Sequence, residues 1–547
     1  MSRNAESHFA LNPTNADISR SRFDRPSDIL TSFNVGDIVP FYVDEVLPGD
    51  THQIDTSKLI RLQTLITPMM GNLYLDTYYF FVPNRLVWSH WKNFMGENTE
   101  SAWIPKTEYS VPQIKPPAGG WNVGTIADYM GVPVGVDNIS VSALPFRAYA
   151  LIMNDWFRDE NLCDPVNVPV DDTTVTGVNT GDFPTDVCLG GLPYKAAKFH
   201  DYFSACLPSP QKSADVQIPV AEGQNLPVVP LAQQVTLPSD ATGMLWKTTA
   251  GSTGSDFGVK SSGSNWNPST SYTDPSANAL ISNLWAIQTG DVTAATINQL
   301  RIAFQIQKLY ERDARGGTRY IEVLKSHFGV TSPDARLQRP EYLGGNRVPI
   351  SINQVIQQSG TAEGTTPQGN VAGMSQTTDF NSDFTHSFVE HGFIIGVMVV
   401  RYQHSYQQGI ERFWSRKTRF DYYWPVFANI GEQAVLNKEI YAAGTAEDDE
   451  VFGYQEAWAD YRYKPSRVSG EMRSVYAQSL DSWHLADDYS TLPKLSPTWI
   501  MEDKANVDRV LAVQSTVSNQ LFGDIYVQNR TTRPMPMYSV PGLIDHH

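Results

Sequence analysis

The chain has 547 residues, of which 41% are hydrophobic and 11% aromatic, enough for a substantial core, while only 18% are charged against roughly 25% in ordinary globular domains. Its 41 Lys and Arg against 58 Asp and Glu leave a formal charge of -17, which excludes a protein that wraps a polyphosphate over its whole surface and makes any nucleic-acid contact local. Three cysteines, Cys163, Cys188 and Cys206, form no CxxC pair and are odd in number, so neither a disulfide framework nor a zinc site is encoded, reduced thiols are expected and no cofactor is implied.

Residues 1–32 are polar and read as an N-terminal arm, with Arg20, Arg22 and Arg25 facing DNA, a neighbouring chain or solvent. The opening lacks an apolar h-region, and the longest apolar run, Gly392 to Val400, is nine residues, far below the ~20 needed to span a bilayer. Neither a signal peptide nor membrane insertion is expected. Ile38 to Val46 and Leu73 to Val82 have the β-branched and aromatic density of strands, and Pro48-Gly49 is strong turn chemistry. Tyr149, Ile152, Met153, Trp156 and Phe157 recur with the spacing of one apolar helix face. A short helix is predicted for Tyr194 to Leu207, closed by Pro208.

Between Gly251 and Ala279, 20 of 29 residues are Gly, Ser, Thr, Asn or Pro, a composition that cannot bury a core. The stretch at about 219–279 is therefore predicted as a long structureless loop projecting outward, with a flexible linker as the alternative. Its candidate surface residues are Gly251, Ser252, Asp256, Lys260, Trp266 and Tyr272. Helical patterning returns after Thr293, stops at Gly316-Gly317 and resumes from Arg319 to Phe328. His391 to Gln403 reads as a strand buried on both faces. Aromatic segments follow at 413–427 and 452–473, and residues 533–547, with Pro534, Pro536 and Pro541, form an extended, docked tail.

Chemical motifs are weak. His386, Glu390 and His391 miss the HxxEH spacing by one residue; Ser89 and Lys92 match SxxK without its partner motifs; and His546 and His547 have no third ligand beside them. Two basic clusters stand out. Arg312, Arg315 and Arg319 flank the Gly-Gly break, while Arg462, Lys464, Arg467 and Arg473 lie among Tyr461, Tyr463 and Tyr476. Cations interleaved with rings suit single-stranded nucleic acid, the second cluster being the better DNA candidate, and suit subunit junctions equally in kind; the junction reading is favoured. The acidic run Glu447 to Glu450 reads as a solvated loop.

IVPFYVDEVLPGDT (38–51) and NLYLDTYYFFVPNRLVW (72–88) closely resemble the amino-terminal region of the major capsid protein of gokushoviruses, small single-stranded DNA bacteriophages of the microvirus family. The block 300–345, YRYKPSRVSGEMRS (461–474), LDSWHLADDY (480–489) and the ending at 533–547 continue the likeness. It runs from about Asn15 to His547 and weakens between Val166 and Thr289. The resemblance implies a mainly β protein: an eight-stranded antiparallel viral jelly roll spanning 33–547, with long, partly helical insertions, one of which forms protrusions at the threefold axes. It also implies a structural subunit, not an enzyme, with sixty copies closing an icosahedral (T=1) shell around a circular single-stranded DNA genome. The implied partners are further copies of the chain, a small basic DNA-packaging protein, a bacterial surface receptor and a scaffolding or pilot protein. Its implied location is the virion, assembled in the host bacterial cytoplasm. The rival classes are a carbohydrate-binding or hydrolytic β-sandwich, and a dedicated DNA-binding protein, which the acidic balance disfavours.

Overall fold

The computed structural model describes residues 19–99, 107–214, 216, 297–331, 338–358 and 368–538, with the backbone alone of six short strands between 228 and 286. The long strands are β1 (Ser21–Phe33), β2 (Val39–Val46), β3 (Thr51–Leu62), β4 (Leu73–Pro83), β5 (Glu341–Pro349), β6 (Thr377–Ser387), β7 (Gly392–Tyr402) and β8 (Leu521–Arg533). They make two four-stranded antiparallel sheets, ordered β1-β8-β3-β6 and β5-β4-β7-β2. Except from β4 to β5, each strand is followed by one in the opposite sheet. The protein is thus mainly β, a sandwich of antiparallel sheets.

Alternation along the strands builds the layers. Phe33, Ile54, Ile525 and Val527 from the first sheet meet Phe41, Leu75, Tyr79 and Met398 from the second in one buried cluster. On the second sheet's other face, Phe80, Val82, Ile395, Val397 and Val399 pack against Trp88, Trp121 and helix α1 (Leu144–Ile152), which continues into a wider turn over Met153–Phe157. β7 is therefore covered on both faces, as its continuous apolar run predicts. Each fully buried large apolar side chain contributes about 1.5–3 kcal/mol, so these two layers, rather than any ion pair, dominate the stability of the sandwich. Pro48-Gly49 makes the predicted turn between β2 and β3, Gly49 standing at a φ of 89° that favours glycine.

Three expectations are corrected. The polar arm read at 1–32 is a strand from Ser21 onward, its thirteen residues in register with β8. Half-buried Phe23, Arg25, Ser27 and Ile29 alternate with exposed Arg22, Asp24, Pro26 and Asp28, so polar groups on both faces hide the period of two. Pro26 is tolerated because β1 is an edge strand. Tyr194 to Leu207 is not a helix. Its backbone is spent on other segments: Ile38 N–H donates to the Tyr194 carbonyl, Ala196 N–H to that of Gly36, and Lys198 N–H to that of Ile500.

The third correction concerns the loop at 219–279. The chain divides into two compact units, one made of residues up to Lys212 with those from Glu311 onward, the other Ser213–Tyr310. In the second unit Asn265–Pro268, Asp256–Ser262, Leu245–Thr248 and Ala279–Ile281 form, in that order, a four-stranded antiparallel sheet, and Val228–Pro230 pairs with Leu284–Ala286. Backbone pairing does not require the apolar alternation that the composition lacks. Helices α2 (Ile297–Gly316) and α3 (Tyr320–Phe328) follow, separated as expected near Gly317, whose φ is 86°.

Candidate functional site

After β7 the chain makes a long excursion before β8. Its ribbon of Glu432–Leu436 and Val451–Glu456 packs on Tyr202, Phe203, Cys206, Tyr406 and Ile440. Above it the two aromatic segments adopt short 3₁₀ turns at Arg412–Ser415, Arg419–Asp421, Pro425–Phe427 and Ala459–Tyr461. Pro425 and Pro465 interrupt any regular element, and the Asp421 carboxylate fixes one turn by accepting the N–H groups of Lys417 and Thr418 at 2.9 and 2.7 Å. Such short turns cannot gather consecutive rings into one buried stripe. The rings consequently face outward: Trp414 is 71% exposed and Phe420 58%, with Tyr422, Tyr423, Trp424, Tyr461 and Tyr463 also exposed.

The two segments form one surface. The Arg416 guanidinium lies 4.3 Å from the Tyr461 ring centre and 5.4 Å from that of Tyr422; Tyr423 meets Trp458 edge-on at 5.8 Å; and Lys464 sits 5.3 Å over Phe413. Trp458 has a φ of 65°, an outlier for a bulky residue, held by its backbone N–H on Gln433 and its indole N–H on the Phe427 carbonyl at 2.9 Å. Within the surface lies a cavity of about 400 Å³ lined by Phe203, Phe413, Trp414, Arg416, Asp460 and Tyr461 among others. Arg416 and Asp460 pair with each other, yet Arg416 Nε and Asp460 Oδ1 are buried without a hydrogen-bond partner.

The predicted cations are largely engaged within the chain. Lys464 and Arg467 both reach Glu411, Arg467 at 3.2 Å; Arg462 pairs with Glu456; and Arg473 donates to the Gln407 carbonyl at 2.8 Å. In the other cluster Arg315 pairs with Glu432, Arg319 with Glu160 and Glu322, and Arg312 is exposed on α2. Arg25 makes a two-pronged bond to Asp44 at 2.6 and 2.8 Å, Arg20 is exposed beside Gly49, and Arg22 stands on the solvent face of β1. These positions do not converge on one site. Of the candidate protrusion residues, Asp256 and Lys260 lie on the strand Asp256–Ser262 and Trp266 on Asn265–Pro268, whereas Gly251, Ser252 and Tyr272 lie outside the described residues.

The weak motifs come apart. Glu390 pairs with Arg85, His391 packs on Trp91, and His386 lies 3.9 Å from Glu341. Ser89 donates to the Val170 carbonyl. Asp449 binds Lys438 at 2.6 Å on an exposed loop. His546 and His547 lie outside the described residues. All three cysteines are free and buried, and burial pushes the Cys163 and Cys188 thiols up to about 11 and raises Cys206 as well, the opposite of an activated nucleophile.

Sequence reading missed a buried ionic knot at His404. Its two ring nitrogens meet Asp487 at 2.9 Å and Glu502 at 3.0 Å, with Lys198 3.7 Å from Asp487. Burial opposes a charge there, but Glu502 and Asp487 outweigh it and raise His404 to about 9; Asp487, despite its own burial, is held well below the usual carboxylate range by His404 and Lys198. The partners lie about 80 and 100 positions away in sequence, so no spacing could have announced them. The knot has the character of a structural tie between segments.

Comparison with known proteins agrees with a structural reading. The family model described as capsid protein (F protein) matches residues 12–543. The chain belongs to this capsid protein family. Capsid protein VP1 of Spiroplasma virus 4 is 44% identical over 533 residues, covering 96% of both chains. Capsid protein VP1 of Bdellovibrio phage phiMH2K is 42% identical over 550 residues, covering 99% of this chain and 98% of the relative. That of Chlamydia phage 1 is 40% identical over 589 residues, with 98% of each covered. The likeness to gokushovirus capsid subunits thus holds over nearly the whole chain, and membership makes the protein a structural subunit of the virion rather than an enzyme. The sugar-binding and hydrolytic sandwich readings are set aside. Copies of such a capsid subunit assemble into a shell, and among the described residues no helix is long and apolar enough to cross a membrane.

Proposed function

We propose that this capsid protein is the sixty-copy subunit of an icosahedral shell around a circular single-stranded DNA genome, built on an eight-stranded jelly roll. The observation that carries the reading is the strand order β1-β8-β3-β6 facing β5-β4-β7-β2. A chain crossing repeatedly between two sheets leaves its loops free to lengthen without disturbing the core, which suits a container subunit whose loops must meet neighbours, genome and host. The stretch at about 219–279, inside the region where the resemblance is weakest, is the segment we assign to the outer surface and the host receptor.

A net charge of -17 per chain repels a packaged polyphosphate, so neutralisation comes from a separate small basic protein, with polyamines or metal ions as supplements. Coexpression of this chain with and without a basic packaging protein and circular single-stranded DNA tests the reading. Particles of uniform size containing nuclease-protected DNA are expected only in the complete mixture. Particles of other symmetry, or DNA bound tightly by isolated subunits, would contradict it.

A further inference from the structure

We propose that the aromatic surface formed by residues 412–427 and 459–476 is a seat for a second copy of this chain, and that its cavity takes an anchoring side chain from that copy. The inference rests on the shell reading and adds which surface closes the contact. At roughly 200 Å² per aromatic side chain, the half-exposed rings with Val426 and Ile430 present on the order of 1,000 Å² of apolar area. That exceeds the ~300–600 Å² patch of a typical monomer and matches the ~800 Å² each partner contributes to a stable interface.

Charge selects the occupant. The two segments hold eight Lys and Arg against three Asp and Glu, a composition that on its own would also suit nucleic acid. Yet Arg416, Arg462, Lys464 and Arg467 are already paired with carboxylates of the same chain. Phosphates would have to displace those carboxylates, whereas the rings keep much of their area exposed to solvent. The partner that fits is apolar at its centre and mildly acidic at its rim, and the rest of this chain, more acidic than the whole, supplies that. The cavity, lined by Phe203, Phe413, Trp414 and Tyr461 together with the charged Arg416 and Asp460, suits an anchor with an apolar body and a polar tip, the chemistry of Tyr and Trp that dominates interface centres.

The test is assembly of the full chain carrying Trp414→Ser with Tyr463→Ser, coexpressed with its packaging partners beside the unaltered chain. Expected is an unchanged melting temperature of the dissociated subunit with at least a tenfold loss of particles by sedimentation and electron microscopy. Should that pair fail to fold, Val426→Lys, placed where the side chain is 82% exposed, gives the same readout without touching the core. Particles at normal yield from a folded variant overturn the proposal, whether they lack DNA, which would assign the surface to nucleic acid, or fail to adsorb to host cells, which would assign it to a receptor. Unaltered chains that never form particles overturn the shell reading itself and this inference with it.

Discussion

The sandwich core and the surface over residues 412–476 use the same amino acids to opposite ends. In β4, Tyr79 and Phe81 face the sandwich interior, Tyr79 packed edge-on against Phe41 at 5.5 Å and Phe81 against Phe388 at 4.6 Å, and both are almost wholly buried. In RFWS the two rings touch at 4.8 Å, in RFDYYW Phe420 and Tyr423 meet rings outside that stretch, and the rings of both stretches still face solvent. Ring count does not separate the two regions. What separates them is backbone periodicity: a strand sends alternate residues into one layer, while turns broken by proline scatter them outward.

Folding stability is where the contrast is largest. Phe81→Ala is expected to cost about 4 kcal/mol, the range for truncating a buried ring, while Trp414→Ala stays within about 0.5 kcal/mol; denaturant unfolding of the dissociated subunit measures both. Equal losses would erase the distinction between core and contact surface.

A somewhat smaller effect is expected at the buried knot. His404→Ala removes the cation between Asp487 and Glu502 and should cost about 3 kcal/mol, the lower end for breaking a buried pair, because Lys198 still faces Asp487. The pH dependence has a definite sign. With its pKa raised to about 9 in the fold from about 6.5 unfolded, His404 stabilises fully below pH ~6.5, and this contribution is lost as pH rises through ~9. Asp487, depressed in the fold, contributes above pH ~4 and loses its contribution in acid. Melting temperature followed from pH 5 to 9.5 should fall more steeply for the parent than for His404→Gln; parallel curves would remove His404 from the account.

Thiol chemistry probes the interior next. The three buried cysteines should react with a disulfide reagent at pH 8 at least tenfold more slowly in the native chain than in denaturant, since reaction requires an exposed thiolate; comparable rates would mean that these sites open readily. At the exposed rim, Arg467→Ala, at a pair whose arginine is 71% exposed, is expected to change stability by less than about 1 kcal/mol. A larger loss in calorimetry would show that the rim pairs hold the surface together.

How much of this was legible depended on whether each residue announced its own environment. Ile38 to Val46, Leu73 to Val82 and His391 to Gln403 nearly coincide with β2, β4 and β7, because strands buried in apolar layers carry the signal in composition. β1, β3, β5, β6 and β8 were not read from the chain. Lys58 points into the protein, bonded to Thr77 at 3.0 Å and paired with Asp379 at 3.3 Å, and Arg25 and Asn529 turn toward Asp44 from β1 and β8. Such inward polar groups break the alternation a reader looks for, and their partners come from distant segments.

The same limit applied to function. The sequence alone determined the family, the excess of acid over base, the lack of a metal or nucleophile motif and the unusual aromatic density, all of which are properties of residue identity and order. Tertiary structure alone decided which rings are core and which are surface, which arginines already own a carboxylate, and that two buried carboxylates bracket His404 and raise its pKa. Burial and pairing are set by neighbours that only the folded chain brings together, and no linear spacing encodes them.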